Sequence, residues 1–71
     1  MNPLDTLNHK VDFGIGEIVY LLTDIDQRPW IVVAVCLWPN QCVTYCLRSG
    51  KEESWHYPIE ISKEKNPLIN V

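Results

Sequence analysis

Residues 30–38 read Trp-Ile-Val-Val-Ala-Val-Cys-Leu-Trp, an unbroken apolar run of nine residues with Pro29 before it and Pro39-Asn40 after it. No other feature limits the fold as strongly. The run is far too short for a membrane-spanning helix, which needs roughly 20 apolar residues. β-Branched side chains dominate it, and these fit a pleated strand better than a helix. A strand this apolar invites pairing with other chains unless the fold itself pairs or covers its edges. A sheet that curls toward closure answers that demand.

The rest of the chain agrees with such a sheet. Residues 17–23 (Glu-Ile-Val-Tyr-Leu-Leu-Thr) have strand composition and follow Phe13-Gly14-Ile15-Gly16, where glycine permits a bend into the first strand. Residues 24–29 form a polar connection ending in proline. Pro39-Asn40 signals a turn, residues 42–48 a returning strand and Ser49-Gly50-Lys51 a second turn. Residues 53–57 predict a fourth strand and Ile59-Glu60-Ile61 a short fifth. Ser62 is placed to cap one helical turn over residues 63–65, which Pro67 ends. Residues 1–13 are polar and lack a period, and read as an arm that Leu4 and Leu7 hold against the barrel. The expected organisation is an arm at 1–13, a barrel at 14–64 and a tail at 65–71.

A chain of 71 residues is one small domain with a marginal core. Its 46% apolar content, with three Trp and three Tyr, makes a core feasible without a disulfide or a metal. The formal net charge is −3, with only six Lys and Arg, which disfavours binding to nucleic-acid phosphates. Three cysteines, an odd number, and the lack of an apolar segment in the first fifteen residues suggest a reducing, cytoplasmic setting.

Five short strands, tight hairpins and a long connection after the first strand resemble a small SH3-like barrel. Gly16-Glu17-Ile18-Val19-Tyr20-Leu21, Thr23-Asp24 and Gln27-Arg28-Pro29 look like the opening of SH3-like and Tudor-like barrels. More loosely, with residues 30–37, Tyr45 and Glu60-Ile61-Ser62, they resemble short proteins of bacterial mobile elements and phages. The resemblance spans about residues 14–64. It implies a binding or assembly role and carries no catalytic residue across. The acidic loop and Ala-Leu-Tyr-Asp-Tyr pattern of proline-peptide SH3 domains is missing, which speaks against classical proline-motif recognition.

The residues that carry chemistry point the same way. Cys36, Cys42, Cys46 and His56 have the ligand types of a zinc site. Yet Cys42 and Cys46 on one strand lie about 13 Å apart at ~3.3 Å per residue, and no Cys-x-x-Cys knuckle is present. The expectation is reduced, buried thiols, no metal and no cofactor. A Cys–His nucleophile pair with His56 or His9 lacks a helix to lower the thiol pKa. Asp24 and Asp26 supply too few oxygens for calcium. No enzyme is expected.

The informative set is Tyr20, Trp30, Trp38, Tyr45, Trp55 and Tyr57, because so small a core cannot bury them all. A two-residue turn at Pro39-Asn40 would set Cys36 opposite Val43 and Leu37 opposite Cys42. One face would then hold Val32, Ala34 and Cys36 with Val43, Tyr45 and Leu47. The other would hold Ile31, Val33, Val35 and Leu37 with Cys42, Thr44, Cys46 and Arg48. Both faces are apolar, where a simple antiparallel sheet has one wet face. Either the arm or another chain must cover the outer one. The candidate interaction surface is therefore Trp30, Ile31, Val33, Val35, Leu37, Trp38, Trp55 and Tyr57. The expected function is a non-catalytic protein-interaction or assembly module, binding a protein partner or a second copy. The alternative is a nucleic-acid-associated Tudor-like barrel.

Overall fold

The computed structural model describes residues 10–65. The arm residues Leu4, Leu7 and His9, and the tail residue Pro67, lie outside them. The fold is mainly β, a five-stranded antiparallel sheet curled into a half-barrel, consistent with a small SH3-like barrel. Its strands are β1 (Ile18–Leu21), β2 (Trp30–Leu37), β3 (Val43–Ser49), β4 (Glu52–His56) and β5 (Ile61–Ser62). Their order across the sheet is β4-β3-β2-β1-β5. A single 3-10 turn, Pro58–Glu60, carries the chain from β4 to β5. There the expected fifth strand is shortened: Pro58 takes the first helical position, where its missing N–H costs nothing, so Ile59 and Glu60 turn rather than extend. The expected helical turn over residues 63–65 is a bend, in which Glu64 N–H donates to Ser62 Oγ at 3.2 Å.

Strand β2 joins the two halves. Its start pairs with β1 (Val19 opposite Trp30, Ile18 opposite Ile31), and from Ile31 to Leu37 it pairs with β3 except at Val33. The change of register falls at Val33, between the Val32–Leu47 and Ala34–Cys46 pairs. This bulge adds one residue to β2 and bends it. The expected two-residue turn between β2 and β3 is corrected to a longer one. Trp38 N–H donates to the Cys42 carbonyl at 2.8 Å, and Gln41 N–H to the Trp38 carbonyl at 3.1 Å. Gln41, at φ 66°, supplies the left-handed residue that a three-residue hairpin loop requires.

The extra loop residue and the bulge cancel. The expected register holds at Ile31–Arg48 and Val32–Leu47, and is off by one from Ala34 to Leu37. As a result Val35 and Leu37 share the face of Tyr45 and Val43, whereas Ala34 and Cys36 share the outer face with Thr44 and Cys46. The outer surface expected to hold Val35 and Leu37 therefore holds Ala34 and Cys36 in their place.

The core is Phe13, Val19, Leu21, Trp30, Val32, Val43, Tyr45, Leu47 and Ile61, with Val35 packed against it. Phe13, the last residue of the arm, packs edge-on against Tyr45 with ring centroids 5.2 Å apart. The Tyr45 hydroxyl accepts the Asp12 N–H at 2.9 Å. The 22–29 connection is closed by Gln27, 1% exposed and at φ 49°. Its Nε2 donates to the carbonyls of Leu21 (2.8 Å) and Asp24 (2.7 Å). Each carbonyl also accepts a loop N–H, from Asp24 and Gln27 respectively at 3.1 Å, so the amide adds a second bond to both.

Candidate functional site

Five consecutive residues of β3, Val43 to Leu47, are buried, so both faces of the strand are covered. The curled sheet covers the side of Val43, Tyr45 and Leu47. On the other side Thr44 and Cys46 are 8% and 4% exposed. Two tryptophans lie at that side. Trp55 in β4 stands opposite Cys46. Trp38, the first residue of the β2–β3 loop, turns back over the strand, and its Nε1 donates to Thr44 Oγ1 at 3.0 Å. Each indole remains about half exposed, at 48% for Trp38 and 55% for Trp55.

Tyr57 completes the group. It precedes the 3-10 turn and is 56% exposed. Its backbone is held from both sides: Tyr57 N–H donates to Glu60 Oε2 at 2.8 Å, and Glu60 N–H to the Tyr57 carbonyl at 3.0 Å. The same carboxylate faces His56, with Nδ1 to Oε1 at 3.4 Å, and His56 Nε2 is hydrogen-bonded to Ser54 Oγ at 2.6 Å. The imidazole packs edge-on to Trp30, with centroids 6.3 Å apart. The Tyr57 N–H holds the Glu60 carboxyl below its usual range; burial opposes this, and His56 adds to the lowering.

Together these residues build a groove. A depression of about 480 Å³ is lined by Cys36, Trp38, Thr44, Trp55, His56 and Tyr57. A second of about 370 Å³ continues past Trp38 and Tyr57 to Pro39, Asn40 and Cys42. A third of about 430 Å³ runs from Tyr57 to Pro58, Ile59, Gln41, Val43, Lys10 and Asp12. Tyr57 is common to all three. Their volumes fall within the range of small-ligand sites, about 300–1,000 Å³.

Of the expected surface, Trp38, Trp55 and Tyr57 are brought together. Leu37 is 54% exposed at the end of β2. Ile31 is half-buried on the outer face opposite Ile18 and Arg48, and Val33 is the bulged residue. Trp30 is not surface: it is 3% exposed, and the Arg28 guanidinium stacks over it at 5.0 Å. Val35 packs toward the core instead of outward. Cys36, Thr44 and His56 line the groove without having been singled out for it. For His56 the sequence offered no signal, since period two puts it with Ser54 on the face of β4 opposite Trp55. For Glu60 the signal was the position two residues after Pro58, where a carboxylate reaches back to the turn's first N–H.

The other chemical candidates are engaged in structure. All three cysteines are free, with Cys36 and Cys42 half-buried and Cys46 buried. Burial, then Glu53, pushes the Cys46 thiol up, which makes it a poor nucleophile. Both His56 nitrogens have oxygen partners in Ser54 and Glu60. The Asp24 carboxylate accepts the N–H groups of Asp26 (3.1 Å) and Arg28 (3.0 Å) and the Arg28 Nε (3.3 Å). Burial raises the Asp24 pKa, but these donors outweigh it and hold it below the usual range. The pair organises its loop. Among the described residues no group of three or more His, Cys, Asp or Glu side chains is placed to hold a metal, and no helix is long and apolar enough to cross a membrane.

No family model matches the chain, and neither a curated protein nor a solved structure is found to be similar to it.

Proposed function

We propose that this domain is a non-catalytic protein-interaction module that holds an extended apolar segment of a partner protein in the groove around Tyr57. The observation that carries the reading is the convergence of three half-exposed aromatic rings, Trp38, Trp55 and Tyr57, on one apolar surface. Aromatic anchors of this kind dominate protein–protein recognition, because they bury large areas while losing little side-chain freedom. The resemblance to small barrels of bacterial mobile elements and phages implies the same class of role.

Charge supports a protein partner over nucleic acid. Arg28 pairs with Asp24 and Glu52, Arg48 with Glu53 and Lys63 with Glu17. Half of the six cations thus already face carboxylates, and a phosphate backbone would have to displace these.

Random-peptide display on the immobilised full chain tests the proposal. Enrichment of apolar peptides that is lost in Trp38→Ala and Trp55→Ala, with both variants still folded, is the expected result. No enrichment, or equal enrichment on the variants, would refute it. Salt-sensitive retention on heparin would redirect the reading to nucleic acid, and concentration-dependent self-association lost in the same variants would redirect it to a second copy.

A further inference from the structure

Strand β4 is one edge of the sheet, with β3 as its neighbour. Which way its backbone groups point follows from the register, because they alternate along a strand. Trp38 N–H donates to the Cys42 carbonyl, so Cys42 and Thr44 present their backbone groups to β2, and Val43 and Tyr45 to β4. His56 stands opposite Tyr45 and therefore turns its groups to β3, as does Ser54. Glu53 and Trp55 turn theirs outward. Tyr57, next in that alternation, spends its own N–H and carbonyl on Glu60. Among the described residues, nothing pairs with the outward groups of Glu53 and Trp55.

Edge strands are commonly blocked by proline, a bulge or charge. β4 holds no proline, and its register with β3 is unbroken from Glu52 to His56. Its carboxylates are already met by cations of the same chain: Arg28 reaches Glu52 at 3.3 Å, and Arg48 reaches Glu53 at 2.8 Å.

The strand is also complementary to itself. An antiparallel pair about a two-fold axis at Ser54 sets Glu53 opposite Trp55 of the second copy and Glu52 opposite its His56. Each Glu53–Trp55 pair then exchanges backbone bonds in both directions, and no like charges stand directly opposite. An axis at Glu53 would set that carboxylate against its own copy. An axis at Trp55 would need the Tyr57 N–H, which Glu60 holds. About the Ser54 axis the two Trp55 rings are diagonal neighbours on the outer face, about 7–8 Å apart at the backbone and within reach of each other. A second copy thus covers a ring that is 55% exposed and sets another indole beside the groove that Trp55 lines.

We propose that a second copy of this chain pairs with the outer edge of β4, antiparallel and centred on Ser54, joining two half-barrels in one continuous sheet. The pairing rests on the edge and not on the groove reading above.

Sedimentation velocity and amide hydrogen exchange on the full chain, from micromolar to millimolar concentration, test this. Expected is a dimer that grows with concentration. The Glu53 and Trp55 amides should slow about tenfold where nine-tenths of the chain is dimeric, because only the open edge exchanges. Glu53→Pro removes an outward N–H, a change that edge strands tolerate, and should abolish the dimer while the buried Trp30 indole signal stays in place. Ser54→Cys sets two thiols across the axis at about 4.5 Å between Cα atoms, within disulfide reach. Mild oxidation with diamide should join the two copies at position 54, as read by mass spectrometry. A chain that stays monomeric, with no such cross-link, would overturn the proposal. So would a dimer that survives in Glu53→Pro. Association lost in Trp38→Ala and kept in Glu53→Pro would put the second copy in the groove, and displayed peptides that slow the Glu53 and Trp55 amides of a monomeric chain would give the edge to a partner segment; either overturns the edge dimer. A dimer that enriches no peptide sinks the groove reading alone, and groove-dependent enrichment on a monomer sinks the dimer alone.

Discussion

The indole of Trp38 is tied to the hydroxyl of Thr44 by a 3.0 Å hydrogen bond that folds the start of the β2–β3 loop back over β3. Thr44 is 8% exposed, so the pair lies at the boundary between groove floor and groove wall. The bond makes an exposed aromatic ring a positioned one. Thr44→Val keeps the shape and removes the acceptor. Stability should fall by about 1 kcal/mol in a denaturant titration. The Trp38 indole N–H signal should shift and acrylamide quenching should rise. An unmoved indole signal would show that the bond does not hold the ring.

Gln41 and Gln27 share a left-handed backbone, with φ of 66° and 49°, and should respond in opposite ways to glycine. Gln41 is an exposed loop residue, so Gln41→Gly relieves the Cβ conflict and should stabilise by up to about 1 kcal/mol. Gln27 is 1% exposed, and its amide serves two carbonyls. Gln27→Gly gains the same backbone relief but removes a buried side chain and its two hydrogen bonds, leaving the Leu21 and Asp24 carbonyls only the backbone N–H groups of Asp24 and Gln27, and should cost about 1 kcal/mol or more in net. Thermal or chemical unfolding of the two variants checks the pair, and equal signs would refute the account.

The lowered pKa of Glu60 makes a signed prediction. A carboxyl that is more acidic folded than unfolded contributes stability at pH values above its ordinary value of 4.5, and loses it as pH falls through the folded value. Stability should therefore decline on acidification below about pH 4.5. Glu60→Gln should be less stable near neutrality and show a shallower acid decline. Asp24, also lowered, contributes in the same direction, so the decline in Glu60→Gln should be reduced and not abolished. An unchanged acid slope in Glu60→Gln would count against the prediction.

The two tryptophans of the outer and inner faces should separate cleanly. Trp30→Ala opens a core cavity and should cost about 3–5 kcal/mol, enough to unfold a domain with a marginal core. Trp55→Ala removes a ring that is 55% exposed and should cost much less. Its effect should appear at Cys46, which stands opposite it and is 4% exposed. Thiol modification of Cys46, followed by mass spectrometry, should be faster in Trp55→Ala than in the parent. Equal rates would mean that something other than Trp55 covers that thiol.

Much of the fold was legible in residue order. β-Branched runs bounded by Pro, Gly and Asn mark four of the five strands to within a residue or two. The fifth reads ambiguously, because Pro58 both interrupts a strand and starts a 3-10 turn. The surplus of aromatic residues was legible too, as a count that a small core cannot absorb, and three of them form the groove. Which ones do so was not. Trp30 and Trp38 stand at the two ends of one apolar run, yet the first is core and the second is groove wall.

The sequence by itself determined that the chain is a β domain with turns at known places and more aromatic rings than its interior can hold, since local backbone preference and composition act without reference to the rest of the chain. Only the tertiary structure decided which face each residue of β2 presents. Facing depends on register, and register depends on two single-residue insertions in the β2–β3 hairpin, the left-handed Gln41 in the loop and the bulged Val33 in the strand. Neither has a local signature, because each is tolerated only while the other offsets it across the β2–β3 pair.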